Sequence, residues 1–247
     1  MTCNKLYIMK LVFISDLHLS PHTVEKNIVF LSLMKNWMGN ISALYILGDF
    51  FDYWLGDDDV NTFTTEMKRC FNKFTKSTPI YFISGNHDFG IGKRFAKETG
   101  IQILKDCHLL EDGNKRVLLS HGDIFCTLDK GYQRMKKILQ NPLTKYILKK
   151  IPLAWRYKLK NMLEKQSNDA YNPNRAHKYK VVDKTIAKYA KKFNANVIIH
   201  GHTHDPNYYT VTLKDGSQIQ RIEIPDWVHR KPGGYVEFNL DKFNIHI

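Results

Sequence analysis

Residues 43–49 read ALYILGD, a run of five apolar residues that is closed by a glycine and an aspartate. An apolar run of this length predicts a buried strand. The aspartate then lies at the carboxyl end of that strand, which is where α/β proteins place their functional side chains.

The same arrangement occurs four more times, each time as a short apolar run that ends in polar residues. The four runs are KLVFIS at 10–15 before Asp16, IYFIS at 80–84 before GNHD, RVLLS at 116–120 before HGD, and NVIIH at 196–200 before GHTH. Helix-like segments lie between the runs, for example at 24–38, 63–77 and 93–99. Strands that alternate with helices predict a layered α/β fold with a largely buried sheet.

The longest interval between motifs runs from His121 to His202 and has helical spacing. Its helix-like segments are 129–140, 143–150, 153–166 and 181–193, with breaks at Pro142 and Pro152. We interpret residues 125–180 as a helical insertion or lid within a single domain that spans 1–247. Hairpin patterns predict that the sheet is mixed, and they lie at 207–212, 218–224 and 234–239.

Each closing motif supplies side chains that bind hard or borderline metal ions. The candidate ligands are Asp16, His18, Asp49, Asn86, His121, His202 and His204. Their mixture of carboxylate, imidazole and amide groups suits Mn, Fe or Zn, and it lacks the thiolates of a structural zinc site. Seven ligands suffice for two ions if Asp49, which stands alone at its strand end, is shared. Two ions about 3.5–4 Å apart hold a hydroxide and clamp a phosphoryl group for in-line attack.

A purely structural interpretation exists for each motif taken alone. A single histidine is more often a satisfied structural residue than a ligand, and Asp-Gly and Gly-Asn are ordinary turn formers. The five motifs in this order, each closing an apolar run, favour a metal centre instead.

The length and composition exclude several classes of protein. The 247 residues are 43% hydrophobic and 13% aromatic, which excludes a disordered chain. No run approaches the roughly 20 apolar residues of a membrane span. The first apolar run leads into a charged motif, so no signal peptide is expected, and four scattered cysteines predict reduced thiols.

The net charge of +13 arises in one segment of the chain. Residues 125–192 carry fifteen Lys and three Arg against four acidic residues, whereas the rest of the chain is close to neutral. The segment also holds large apolar residues such as Leu143 and Trp155, and a basic face beside an apolar one is typical of helices on a membrane surface. A solvated basic face over an ordinary core is the alternative. Binding of nucleic acid is not expected, because the segment has no motif that reads DNA or RNA.

The motif set resembles that of the calcineurin-like metallophosphoesterase superfamily over residues 10–205. The resemblance implies a four-layer α/β/β/α sandwich with a dinuclear site. It also implies how the ligands divide between the two ions. One ion is expected to bind Asp16, His18, Asp49 and His204, and the other to bind Asp49, Asn86, His121 and His202.

The segments around the motifs resemble a narrower family, the UDP-2,3-diacylglucosamine pyrophosphohydrolases of lipid A biosynthesis. The matching stretches are ALYILGDFFDYWLGDDD at 43–59, YFISGNHDFGIGKRFAKETG at 81–100 and HGDIFCTLDKGYQ at 121–133, followed by NPL, IPLAWR and a Gln-Ser pair. The resemblance implies that UDP-2,3-diacylglucosamine is hydrolysed to 2,3-diacylglucosamine 1-phosphate (lipid X) and UMP, with water attacking the α-phosphorus of UDP. It further implies two Mn²⁺ ions and peripheral attachment to the cytoplasmic face of the inner membrane.

The resemblance also assigns roles to single residues. Asn86 and His202 are expected to stabilise charge on phosphate oxygens, and His87 to act as a general acid or a phosphate-binding cation. The alternative for His87 is a structural role beside Asp88 or Asp52. The implied substrate contacts are Asn86, His87, Asp129, Tyr132, Ser167, Asn174, Lys178 and His202. Two positions depart from the family pattern, since His87 and Glu164 replace arginines.

Other interpretations remain open at this point. One alternative is another phosphoesterase, such as a nuclease or a cyclic-nucleotide phosphodiesterase. A non-enzymatic binding module is less consistent with the sequence, because all five motifs have intact ligands. Residues 57–59 are three aspartates, which form either a third metal site or a solvated acidic loop. The aromatic residues at 51, 53 and 54 line an acyl or base pocket or pack in the core.

Overall fold

The computed structural model describes residues 9–112, 115–170, 180–239 and 242–247. Within these ranges the chain forms two mixed sheets and seven α-helices. The strands are β1 (Leu11–Ile14), β2 (Ala43–Leu47), β3 (Ile80–Ile83), β4 (Gln102–Ile103), β5 (Cys107–Asp112), β6 (Lys115–Ser120), β7 (Val197–His200), β8 (Tyr208–Thr212), β9 (Gln218–Glu223), β10 (Tyr235–Asn239) and β11 (Lys242–His246). The helices are α1 (Val24–Trp37), α2 (Thr62–Phe74), α3 (Lys93–Thr99), α4 (Lys130–Gln140), α5 (Pro142–Lys150), α6 (Leu153–Ala170) and α7 (Asp183–Phe193).

Parallel strands form the centre of both sheets. The first sheet has the order β11-β10-β1-β2-β3-β4, and β1 to β4 run parallel to one another. The second sheet has the order β5-β6-β7-β9-β8, in which β6, β7 and β9 are parallel. The carboxyl ends of β1, β2 and β3 therefore lie at one edge of the first sheet, and those of β6 and β7 lie at one edge of the second.

Three apolar cores separate four layers. The first core packs α1, α2 and α3 on the outer face of the first sheet and contains Phe30 and Phe71. The second core lies between the two sheets and contains Phe13 and Ile199, and the third packs Ile186 of α7 on the second sheet. The order of layers is α/β/β/α, so the predicted fold class is confirmed.

The five strands predicted from closed apolar runs all form, with ends within one residue of the predicted ones. Three other strands were not predicted because they are short or lie at sheet edges. For example, β4 has two residues and both are exposed. The helix predicted over 63–77 begins at Thr62, where the Asn61 side chain caps it, and it ends at Phe74. No helix among the described residues is long and apolar enough to cross a lipid bilayer.

Candidate metal centre

The predicted ligands meet where the carboxyl ends of the parallel strands of the two sheets come together. Among the described residues, four overlapping groups of side chains could hold a metal ion there, and in each group one ligand atom per residue lies within 4.8 Å of the others. Two of the four consist entirely of predicted ligands. The Asp16 group consists of Asp16, His18 and His204, and the Asp49 group consists of Asp49, His121 and His202. The structure thus divides these six side chains between two neighbouring clusters.

The backbone at these strand ends is strained. Six non-glycine residues in the described ranges have a positive φ, and five of them are ligand candidates. Those five are Asp16 (57°), His18 (50°), Asp49 (52°), His202 (74°) and His204 (56°). The left-handed conformation costs about 1–3 kcal/mol at a residue with a side chain, and it persists where the surrounding structure enforces it. The sharp turns allow a polar side chain to point back across the end of its own strand.

The Asp16 group contains buried polar atoms that protein atoms do not satisfy. Asp16 Oδ1 lies 3.4 Å from His204 Nε2, while Asp16 Oδ2 accepts a hydrogen bond of 2.8 Å from the backbone N–H of His202. Asp16 Oδ1 and His18 Nε2 are fully buried and lack a hydrogen-bond partner within the described part of the chain. An unsatisfied buried carboxylate oxygen beside two imidazoles fits a metal ion.

The Asp49 group brings nitrogen and oxygen ligands into direct proximity. His121 Nε2 lies 3.5 Å from Asp49 Oδ2, 3.2 Å from His202 Nδ1 and 3.1 Å from Asn86 Oδ1. Asn86 therefore joins this group through its amide oxygen. His121 Nδ1 lies 2.9 Å from the carbonyl oxygen of Leu47. This contact orients the ring so that Nε2 faces the cluster, as is usual for a metal-binding histidine.

Asp49 connects the two groups through a single oxygen. Its Oδ2 lies 3.7 Å from His18 Nε2 in the Asp16 group and 3.5 Å from His121 Nε2 in its own group. Its Oδ1 accepts a hydrogen bond of 2.9 Å from the backbone N–H of His87, which fixes the carboxylate. This position suits a bridging carboxylate.

Both carboxylates of the cluster stay ionised in spite of their burial. Burial alone would raise the pKa of Asp49, but the charges of His121, His87 and His18 hold it below its usual value. The pKa of Asp16 is likewise lowered by its neighbouring histidines despite burial. Burial and the adjacent His121 lower the pKa of His202 to about 4, so its imidazole is neutral at pH 7. Both carboxylates and His202 are therefore in the deprotonated state that metal binding requires.

Comparison with known proteins identifies the family of this chain. Residues 9–206 match the family model of the calcineurin-like phosphoesterases. The chain is 37% identical to the UDP-2,3-diacylglucosamine hydrolase of Pseudomonas putida over 89% of its own length and 92% of the relative. It is 36% identical to the UDP-2,3-diacylglucosamine hydrolase of Coxiella burnetii over 96% of its own length and 98% of the relative. This chain belongs to the UDP-2,3-diacylglucosamine hydrolase family of calcineurin-like phosphoesterases. Among solved structures, an archaeal phosphodiesterase aligns over 96% of this chain and 99% of its own, with 14% identity and a TM-score of 0.48.

In this phosphoesterase, His87 is oriented by the backbone of Asp52. His87 Nδ1 lies 2.6 Å from the carbonyl oxygen of Asp52, and its Nε2 lies 4.0 Å from Asp49 Oδ2. The Asp88 carboxylate instead accepts hydrogen bonds from the N–H groups of Gly85 and Phe50, at 2.7 and 2.8 Å. Of the two partners considered for His87, the structure therefore selects Asp52, through its carbonyl rather than its carboxylate.

The predicted substrate contacts divide into three sets. Asn86 and Tyr132 line a small cavity between the metal centre and α4. Asp129 caps α4 by accepting a hydrogen bond of 3.0 Å from the N–H of Tyr132, and the Tyr132 hydroxyl donates to the Asp123 carboxylate. Ser167 lies on α6, whereas Asn174 and Lys178 lie outside the described residues.

Two carboxylates that support the centre were missed by the sequence analysis. Glu223 accepts hydrogen bonds from the Thr203 hydroxyl at 2.5 Å and from the N–H of Asp205 at 2.9 Å, which holds the turn that carries His202 and His204. Asp226 accepts a hydrogen bond of 2.7 Å from Arg230, which also donates to the carbonyl of His204 at 3.0 Å. Glu223 lies within the predicted strand 218–224, where nothing distinguishes it from other strand residues. Asp226 follows the end of that strand by two residues, so its position at a strand end was a signal that could have found it.

The three aspartates at 57–59, here called the acidic loop, each have protein partners, and none belongs to a candidate metal-binding group among the described residues, although Asp58 is also exposed to solvent. Asp57 accepts hydrogen bonds from the N–H groups of Gly92 and Phe95 and so caps α3. Asp58 binds Arg156 of α6, and Asp59 accepts a hydrogen bond from the hydroxyl of Tyr157. The loop therefore anchors α6 to the body, a role that depends on contacts distant in the sequence. Of the neighbouring aromatic residues, those at 51 and 54 are buried in the core and Tyr53 is half-buried at the metal centre.

Proposed function

We propose that this chain hydrolyses the pyrophosphate bond of UDP-2,3-diacylglucosamine. Water adds to the α-phosphorus of the UDP moiety, and the bond from that phosphorus to the bridging oxygen breaks. The products are UMP and 2,3-diacylglucosamine 1-phosphate, which keeps the bridging oxygen. The observation that carries the proposal is the position of Asp49 Oδ2, which lies within 3.7 Å of an imidazole nitrogen in each of the two groups. The names of relatives that match about 90% of the chain supply the substrate.

The residues of the centre fit two divalent ions, for which we propose manganese. The Asp16 group and Asp49 would hold one ion, and the Asp49 group with Asn86 would hold the other. When bound, such a pair lowers the pKa of water and neutralises charge on the phosphoryl oxygens.

The remaining chemistry belongs to side chains of this chain. Asn86 directs its Oδ1 toward His121, which leaves its amide nitrogen to donate to a phosphate oxygen. His87 is fixed at Nδ1 by Asp52, so its Nε2 faces the site where the diphosphate would lie and supplies a proton or a hydrogen bond there. Both groups are positioned before substrate arrives, which is the condition for effective stabilisation of developing charge.

Release of UMP is the test of this function. We expect the metal-stripped protein to be inactive and the addition of Mn²⁺ to restore the release of UMP from UDP-2,3-diacylglucosamine in mixed micelles. The same preparation should hydrolyse bis-p-nitrophenyl phosphate slowly and leave single-stranded DNA intact. Equal rates on the simple phosphodiester, or cleavage of the DNA, would indicate a general phosphodiesterase or a nuclease instead.

We further propose that helices α4 to α6, here called the lid helices, lie on an anionic lipid surface, at the cytoplasmic face of the inner membrane. Large apolar side chains on these helices are strongly exposed, among them Leu143 and Trp155, each at 66%. They are accompanied by many lysines. Apolar side chains that insert beside basic ones are typical of peripheral membrane helices.

Vesicle binding tests this second proposal. Replacing Leu143 and Trp155 together by serine is expected to weaken binding to vesicles of phosphatidylethanolamine and phosphatidylglycerol by about tenfold or more, because each buried large side chain contributes about 1.5–3 kcal/mol. Val60→Ser, a change at an equally exposed position on the body, is the control and should bind as the wild type does. Sedimentation with vesicles measures both, and unchanged binding of the double variant would reject the lipid contact.

A further inference from the structure

Helix α6 is fixed to the body beside the metal centre by a buried arginine. Arg156 is 4% exposed, and its guanidinium donates hydrogen bonds to the Leu55 carbonyl at 2.7 Å and to the Asp58 carboxylate at 2.9 Å. Tyr157 on the next position binds Asp59. Residues spaced by four positions share a helix face, so Lys160 lies on the same side of α6 as Arg156.

Lys160 extends from that face to the edge of the metal centre. Its Nζ lies 3.9 Å from the centroid of the Tyr53 ring, which is a close cation–π contact. The Tyr53 ring also lies beside the ring of His87, at 4.6 Å between ring centroids. One aromatic ring therefore separates the ammonium of Lys160 from the imidazole that faces Asp49.

Asp52 connects this part of the site to the Asp16 group. Its carbonyl oxygen lies 2.6 Å from His87 Nδ1. Asp52 Oδ1 lies 3.7 Å from His18 Nδ1, at the margin of the Asp16 group. A lysine in this position adds positive charge at the place where a dianionic diphosphate would enter.

We propose that Lys160 binds the diphosphate of the substrate. The inference rests on the proposed function, and it assigns to the lid a cation that takes part in recognition of the phosphate groups. Lysine binds phosphate as a point charge on a long flexible stem, so a small rotation carries its Nζ from the Tyr53 ring to a phosphate oxygen beside His87.

Kinetics of Lys160→Ala separate this role from simple packing on Tyr53. We expect KM for UDP-2,3-diacylglucosamine to rise about tenfold or more, because loss of a hydrogen bond to a charged group usually weakens binding by this factor. The value of kcat should change less than threefold. Lys160→Arg should recover most of the affinity, because it keeps the charge. Hydrolysis of bis-p-nitrophenyl phosphate, which carries one phosphate group instead of two, should be reduced less by Lys160→Ala than hydrolysis of UDP-2,3-diacylglucosamine.

Lys158 provides the matched control. It lies on the same helix, is exposed, and has its Nζ 5.7 Å from the Trp155 ring, away from the metal centre. Lys158→Ala should keep the wild-type KM. Wild-type KM in Lys160→Ala, or an equal rise in Lys158→Ala, would overturn the inference while leaving the proposed function intact.

A second experiment tests Lys160 even if the wild type releases no UMP and the proposed function fails. It measures how strongly inorganic pyrophosphate inhibits the hydrolysis of bis-p-nitrophenyl phosphate. A weaker inhibition only in Lys160→Ala would support the contact, and equal inhibition in all variants would overturn it.

Discussion

Replacing Asp49 by alanine is expected to reduce bound metal from about two ions to less than one and to lower kcat/KM by at least about 10³-fold. Asp49 Oδ2 is the one oxygen that lies close to imidazole nitrogens of both groups among the described residues. Its removal therefore weakens both sites together. A metal pair supplies several kcal/mol of charge stabilisation, and about 4 kcal/mol corresponds to 10³-fold in rate. Metal content by mass spectrometry and UMP release measure the two effects.

Two variants make this result specific. His204→Ala removes a ligand candidate of the Asp16 group alone, so the variant should keep about one ion per chain. Asp215→Asn changes an exposed aspartate in the turn between β8 and β9, and it should keep the metal content and activity of the wild type. Full metal content with full activity in Asp49→Ala would refute the assignment of the centre.

The ligand-bearing strands were predictable because each ends abruptly. In ALYILGD the five apolar residues fill the core, whereas the buried Asp49 carboxylate needs polar partners, so the strand stops at the glycine and the carboxylate turns into the site. The same argument applies to the runs before Asp16, Asn86, His121 and His202. Parallel strands bring such ends to one edge, and this geometric rule predicted that the side chains would cluster.

The supporting contacts were not predictable because they depend on packing between distant segments. Arg156 lies 98 positions from Asp58 in the chain, and nothing in either segment indicates the pair. Glu223 reads as an ordinary residue of a hairpin strand, yet it holds the turn between His202 and His204. The sequence pattern identifies polar side chains at strand ends, whereas their hydrogen-bond and ion-pair partners depend on how distant segments pack together.

The basic side chains of residues 125–192 also have several different roles, and the net charge of the segment does not distinguish them. Lys136 lies 2.7 Å from the buried Asp123 carboxylate and fixes α4, as Arg156 fixes α6. Lys160 contacts the Tyr53 ring, which lies beside His87, and Lys158 is exposed on the same helix. Part of the net charge therefore attaches the lid helices to the body, and only the remainder is available for lipid or substrate.

Replacing Gly85 by alanine is expected to lower kcat/KM by about 10²-fold or more. An added Cβ would lie 2.1 Å from Asp49 Oδ1 and 2.5 Å from the Asp49 backbone nitrogen. Because the backbone nitrogen cannot rotate away, Asp49 or the segment after β3 must shift. A displacement of about 1 Å at a catalytic group costs about 10²-fold in rate. Overpacking also lowers the free energy of unfolding by about 1–3 kcal/mol.

Gly131→Ala is the matched control because it adds the same methyl group elsewhere. Gly131 lies in α4, where the nearest atom to an added Cβ is Asp129 Oδ1 at 3.6 Å. Alanine favours a helix over glycine by about 1 kcal/mol, so this variant should be as stable as the wild type or more so and should retain its metal. Thermal unfolding, metal content and UMP release distinguish the two variants. Wild-type metal content and activity in Gly85→Ala would show that the Asp49 carboxylate keeps its position even when a methyl group is added at residue 85. The close packing of Gly85 against Asp49 would then not be what positions the bridging oxygen.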